Sequence, residues 1–193
     1  MCARHIYANW RKQHREKIYQ KIFWACAKAS DRTGFNYHRA KLAQKTVEGA
    51  KDIMKTNPKH WSRAFFKLGS YCDSVENNMC ESFNNSIMRA RFYLVITSHE
   101  IIRKKVMARI QENRAKPEKW SGKICPNIFK KLPLNIKRSG RCNVLWNGKE
   151  GFEVQEGEYR RFTIDLEKCT CSCRYWELSG LPYCHAISAV YTC

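Results

Sequence analysis

The residues with the most chemistry to offer are Cys171-Ser-Cys173 and, after ten further residues, Cys184-His185. Thiolate sulfur and imidazole nitrogen are the donors zinc prefers. A structural zinc site needs four of them placed tetrahedrally, at roughly 2.3 Å for sulfur and roughly 2.0–2.1 Å for nitrogen. Two cysteines one residue apart can sit on a turn that leaves a strand. A Cys-His pair opening a helix can face them, where the helix end favours the thiolate form. The residues between, Arg174 to Tyr183, are enough to loop back, with Gly180-Leu-Pro182 making the turn. The expected cofactor is Zn2+, and the expected ligands are Cys171, Cys173, Cys184 and His185. Nucleophilic Cys/His catalysis is the competing chemistry. Cys184 and His185 are adjacent, however, and neighbours on a helix point ~100° apart, a poor nucleophile–base arrangement.

Eleven cysteines occur in all, and Cys169, Cys171, Cys173, Cys184 and Cys193 crowd into one short stretch. That crowding singles out metal over a disulfide framework, because no apolar signal core near the start marks the chain for secretion. Cys2, Cys26, Cys72, Cys80, Cys125 and Cys142 are widely spaced and read as small buried apolar residues. Cys2 and His5 lack an evident partner pair, so local packing is expected there over a metal role. A lone Glu81 beside Asn77, Asn78 and Asn84 reads, by itself, as a solvated or hydrogen-bonded side chain.

The elements that must position these residues change character along the chain. Helical periodicity runs through Arg4–Ala29, with Ile6, Trp10, Ile18, Ile22 and Ala25 near one face. A second helix is expected from Thr33 as cap to Asn57-Pro58, and a third over roughly Glu76–Arg91. Thr97-Ser-His-Glu100 has the form of a capping box opening a fourth, with Ile101, Ile102, Val106 and Ile110 as its apolar face and Pro117 as its stop. A Pro- and Lys-rich connection with a short helix near Asn127–Lys137 follows. Period-two strands are then expected at Cys142–Trp146, Phe152–Gln155 and Phe162–Leu166, turning at Asn147-Gly148 and Glu156-Gly157. A helix from about Pro182 to Thr192 comes last. The expected fold class is mainly α with a small C-terminal β-hairpin and zinc module (α+β), divided into a helical region 1–116, a basic linker 117–141 and a zinc-finger module 142–193.

The stretch from Cys171 to Ile187 resembles a SWIM-type zinc finger, whose pattern is Cys-x-Cys, a spacer, then Cys-x-His. Trp176, Leu178, Gly180, Leu181, Pro182, His185 and Ala186 fit the version found in plant Mutator-like transposases. In that pattern the third ligand falls at position 183, which is Tyr183 here, with Cys184 immediately before His185. Cys184 reaches in from the neighbouring position, Cys169 substitutes, or the site is weakened. The resemblance extends further. Met1-Cys-Ala-Arg-His-Ile-Tyr-Ala-Asn-Trp10 looks like the segment after the second catalytic aspartate of those transposases. Asn77-Asn-Met-Cys-Glu81-Ser-Phe-Asn84 looks like the helix carrying their third catalytic carboxylate. His60-Trp61-Ser62-Arg63, Cys72-Asp73 and Arg109-Ile110-Gln111 also fit.

What the resemblance implies is the helical remnant of an RNase H-like domain that cuts and joins DNA with two aspartates and a glutamate on two divalent metals. Glu81 matches the glutamate. The aspartates would lie upstream of Met1, and Asp31, Asp52, Asp73 and Asp165 match neither. One carboxylate cannot hold two metals, so Glu81 is expected to be vestigial and the chain an internal piece of a transposase without its own catalytic activity. An active enzyme would require those upstream aspartates.

Composition narrows the partners. The chain has 193 residues, 36 Lys+Arg against 17 Asp+Glu and a formal charge of +19, with 44% hydrophobic residues. That apolar fraction supports a packed core rather than wholesale disorder. A surplus of positive charge this large favours a polyanion, so nucleic acid is the first partner to consider, bound non-specifically; the transposase resemblance implies DNA, in the nucleus. Protein contacts through the finger, with Tyr175 and Trp176 as an exposed surface, are the alternative. No membrane partner is expected, since the longest clear apolar run, Phe92 to Thr97, falls far short of the ~20 residues of a span.

Overall fold

The computed structural model describes residues 2–69, 71–120, 122, 125–149 and 151–192, so Met1 and Cys193 lie outside the described residues. The chain is mainly helical, with one small antiparallel sheet near its C-terminal end. It divides into two compact units, one from Met1–Glu76 together with Leu134–Cys193, the other from Asn77–Pro133. Segments of the helical region, the basic linker and the finger module thus share the larger unit. No helix among the described residues is long and apolar enough to cross a membrane.

The larger unit begins with α1 (Ala3–Trp10), α2 (Lys17–Lys28), α3 (Arg32–Ala43) and α4 (Val47–Lys55). Where periodicity suggested two long helices there are four shorter ones, and side-chain capture explains the breaks. The Trp10 indole N–H donates to the Gly49 carbonyl at 3.0 Å, and the His14 Nε2 lies 2.9 Å from an Asp52 oxygen. Both contacts pull the chain out of register after α1. Glycine at position 49 lets the helices approach this closely, because a Cβ there would meet Thr46 Cγ2 at 2.6 Å and Trp10 Cζ2 at 3.2 Å. Asp31, rather than Thr33, caps α3 by accepting from the Gly34 N–H at 2.7 Å, and Thr46 caps α4. The helices close over Phe23, Cys26, Phe35, Leu42, Ile53 and Trp61, with Phe23 and Trp61 stacked at 5.3 Å. Burial pushes the Cys26 thiol up to about 12, which suits an inert packing residue.

The smaller unit contains α5 (Asn78–Ser86) and α6 (Val95–Ala115). Here α6 opens two residues before Thr97, and Glu100 bonds the Arg103 guanidinium at 2.8 Å in place of a capping box. No described residue of α6 is buried, and the expected Ile101, Ile102, Val106 and Ile110 stripe packs only partly. The helix α7 (Pro126–Ser139) follows.

The rest of the larger unit is a four-stranded antiparallel sheet in the order β1 (Cys142–Trp146), β2 (Gly151–Glu156), β3 (Arg160–Asp165) and β4 (Thr170–Cys171). Gly148 and Gly157, at φ 83° and 71°, make the two hairpin turns the sequence marked. Two short helices follow, α8 (Tyr175–Ser179) and α9 (Cys184–Val190). The finger's inner face buries Phe152, Val154, Phe162 and Ile164 of the sheet against Ala186 and Ala189 of α9.

Arg174 joins this C-terminal part to the first helices. It adopts φ 63°, which turns the chain sharply between Cys173 and α8. Its guanidinium donates to the carbonyls of Ser30, Ala64 and Phe66. Replacement by glycine keeps the turn and removes the donors to three part-buried carbonyls, where the penalty of an unpaired acceptor is at most about 1–3 kcal/mol each. Arg174→Gly is therefore expected to lower the urea midpoint of the helical signal and of tryptophan fluorescence together. An unchanged midpoint would show that the guanidinium contributes no docking free energy.

Candidate metal centre

Sheet geometry places the first pair of donors. Cys171 ends β4 opposite Ile164 of β3. The Ser172 N–H donates to the Thr163 carbonyl at 2.9 Å, and the Ser172 hydroxyl accepts from the Thr163 N–H at 3.0 Å. This holds the Cys171-Ser-Cys173 turn flat against the sheet. The Cys171 N–H donates to a Glu177 oxygen at 3.2 Å, which links the turn to α8. Both sulfurs face inward, on residues only 2% exposed.

The spacer then returns the chain. Gly180, at φ 72°, ends α8, and its N–H donates to the Trp176 carbonyl at 2.7 Å. Tyr183 is the last extended residue before α9. His185 comes in the first turn of that helix and is buried. Its imidazole stacks on Phe162, with ring centres 3.9 Å apart, and meets the edge of Tyr183 at 5.3 Å. Packing therefore fixes the ring plane. Nδ1 lies 3.7 Å from Cys171 Sγ, while Nε2 lies 3.3 Å from a Glu156 carboxylate oxygen on β2. A carboxylate facing Nε2 favours the proton there and leaves the Nδ1 lone pair turned toward sulfur.

The ligand atoms of Cys171, Cys173 and His185 lie within 4.8 Å of one another, close enough for one metal ion. The thiols already behave as a pair. The Cys173 thiol donates to the Cys171 sulfur, which holds Cys171 below the usual thiol range. The same bond, with burial, pushes Cys173 up. Two paired sulfurs with an imidazole beside them are a donor set suited to zinc.

Three of the four expected donors are thus brought together. The fourth is placed elsewhere: Cys184 is fully buried, but its sulfur groups with Cys142 and His185. Burial pushes its thiol up. Tyr183 fills the neighbouring position, with its ring 4.6 Å from that of Tyr175 and its hydroxyl accepting from the Arg138 guanidinium at 3.2 Å. Of the alternative donors, Cys169 is exposed, with its thiol donating to the Leu166 carbonyl at 3.6 Å. Cys193 lies outside the described residues. Cys2 Sγ is 3.1 Å from His5 Nδ1 at the start of α1. Glu81 is half-buried on α5. Tyr175 and Trp176, expected on an exposed surface, are half-buried against the finger core because α8 folds back onto the sheet. Spacing alone missed Cys142, whose signal is its register opposite Glu156 on the neighbouring strand.

Residues 151–193 match the SWIM zinc finger family. The chain matches no curated protein and no solved structure. The chain therefore contains a SWIM zinc finger, the match implies Zn2+ binding, and its Cys/His groups can hold the ion.

The return turn should be sensitive to side chains, since Gly180 combines a positive φ with Tyr71 lying 3.6 Å from where a Cβ would sit. Gly180→Ala is expected to cost about 1–2 kcal/mol in urea unfolding, the penalty of a left-handed non-glycine residue. A neutral result would mean the turn relaxes without strain.

Proposed function

We propose that this chain is a zinc-binding, transposase-derived protein without catalytic activity of its own, which binds DNA in the nucleus through its basic surface. The observation that carries the zinc part is the convergence of Cys171, Cys173 and His185 inside the segment that matches the SWIM family. In this reading those three residues are ligands, and the ion supplies folding free energy to the sheet and α9. Tyr183 stands where the pattern has its third thiolate, so a bound ion would have three protein donors and be held more weakly than in a closed four-ligand finger.

The acidic residues support a non-catalytic reading. Asp31 caps α3, and Asp52 bonds Lys55 and His14. Asp73 pairs with Arg63 at 3.2 Å, and Asp165 pairs with Lys168 at 2.8 Å. Each is engaged in local structure. For DNA, the support is the charge of +19 and the character of α6, which exposes Arg103, Lys104, Lys105, Arg109 and Arg114 along a helix with no buried described residue. A second reading, a protein-interaction module, is favoured by one feature: Phe92, Leu94 and Ile96 are each 85% exposed just before and within the start of α6.

Zinc affinity measured by competition with a chelating dye tests the centre. Cys173→Ser is expected to weaken binding at least tenfold, and Cys72→Ser, at an exposed position, to leave it unchanged. Tyr183→Cys is expected to strengthen it at least tenfold by closing the fourth position, and no gain would reject this reading of Tyr183. Binding to a short DNA duplex, followed by fluorescence anisotropy, should weaken linearly with log salt. Replacing Arg103, Lys104 and Lys105 by alanine should reduce the slope by about 0.9 for each phosphate that the protein no longer neutralises. Salt-independent association would instead favour the protein-interaction reading.

A further inference from the structure

His185 belongs to two donor groups, one with Cys171 and Cys173 and one with Cys142 and Cys184. Nε2 is turned toward Glu156, at 3.3 Å. Glu156 is the direct cross-strand neighbour of Cys142 in the β1–β2 pairing. Cys184, one residue before His185, is buried against Cys142, and a thiol hydrogen bond runs from Cys184 to Cys142. The ligand atoms of Cys142, Cys184 and His185 lie within 4.8 Å of one another. These are two soft donors and a borderline one, with a carboxylate beside them.

We propose that Cys142 and Cys184, with Nε2 of His185, form a second zinc site, completed by the Glu156 carboxylate. Metal–ligand bonds of about 2.0–2.1 Å in a tetrahedron put nitrogen and oxygen donors roughly 3.3–3.4 Å apart, and the Nε2–Oε2 separation is 3.3 Å. Two sulfurs and an imidazole already converge within 4.8 Å, and the carboxylate supplies the fourth donor by turning from Nε2 toward the sulfurs. The site has an entrance, because Cys142 lines an open cleft of about 410 Å³ with Ser139, Asn143, Val144, Ser188 and Tyr191. Cys142 lies before the residues that match the finger family, so the family pattern does not include it.

The two sites share one ring. With a single ion at Nδ1, Nε2 keeps its proton and donates it to Glu156. Binding of a second ion would release that proton and the two thiol protons to solvent, three in all, with His185 offering one nitrogen to each ion. The inference rests on the reading proposed above only through this shared His185, and Cys142 separates the two experimentally.

The test is zinc content per chain by inductively coupled plasma mass spectrometry, on reduced protein equilibrated with excess zinc and desalted. Two ions are expected in the unaltered chain, one in Cys142→Ser and one in Cys171→Ser. A zinc content unchanged by Cys142→Ser overturns the second site. One ion in the unaltered chain, lost in Cys142→Ser and kept in Cys171→Ser, supports the second site and removes the ligand set proposed above. Should Cys142→Ser fail to fold, the unaltered chain still decides the matter. N-ethylmaleimide should label Cys142 through the cleft in metal-free protein, and zinc should protect it. Labelling of Cys142 at the same rate with and without two equivalents of zinc overturns the proposal.

Discussion

The constraint on which the finger depends is the placement of one imidazole. His185 is packed face-on against Phe162 and edge-on by Tyr183, so its plane is set by apolar contacts and its two nitrogens are aimed by them. Nδ1 faces the Cys171 sulfur and Nε2 faces Glu156. Glu156 is itself held by the Arg160 guanidinium at 3.5 Å, and that guanidinium lies over the Phe162 ring. Stacking, carboxylate and cation therefore form one closed group around a ring that would otherwise rotate. Burial holds Cys142 and Cys184 above the usual thiol range, so without a cation nearby both favour the neutral thiol. A divalent ion would displace those protons and supply coordination free energy to the folded state.

The centre also has mechanical connections outside the sheet. Arg174 follows Cys173 directly, and its guanidinium ends on carbonyls of Ser30, Ala64 and Phe66. Asn135 and Arg138 of α7 reach the Pro182 carbonyl and the Tyr183 hydroxyl, which brace the return turn from the other side. The finger is consequently a part of the larger unit and not a bead on a linker.

How much of this could be read from sequence differs between the two halves. The first three strands and both hairpin turns were legible, since period-two alternation bounded by Asn-Gly and Glu-Gly has few other solutions. The two-residue strand β4 and the five-residue α8 carry too little periodicity to announce themselves. The first helices were legible as helix but not as four pieces, because their breaks are decided by contacts between distant residues, Trp10 with Gly49 and His14 with Asp52. The capping-box pattern at Thr97 lost to a local Glu100–Arg103 pair within a helix that had already begun. At the centre, spacing grouped Cys171, Cys173 and His185, and the structure brings these three side chains together. Spacing could not place Cys184, since a shift of one residue along a helix turns a side chain by about 100° and sends the sulfur toward β1 instead of β4. The contribution of Cys142 depends on strand register, which is a tertiary fact.

The interleaving of chain ends within the larger unit has a consequence for how the protein is made. The carbonyl of Phe66 waits for a guanidinium 108 residues further on. At ribosomal speeds of about 5–20 residues per second, that is on the order of 5–20 s during which the early helices exist without their partner. Over that interval Ala64 and Phe66 have only water to satisfy them, and the nascent chain is open to chaperones and to premature association. Vectorial synthesis thus makes the Arg174 turn a late event that satisfies carbonyls laid down 108 or more residues earlier.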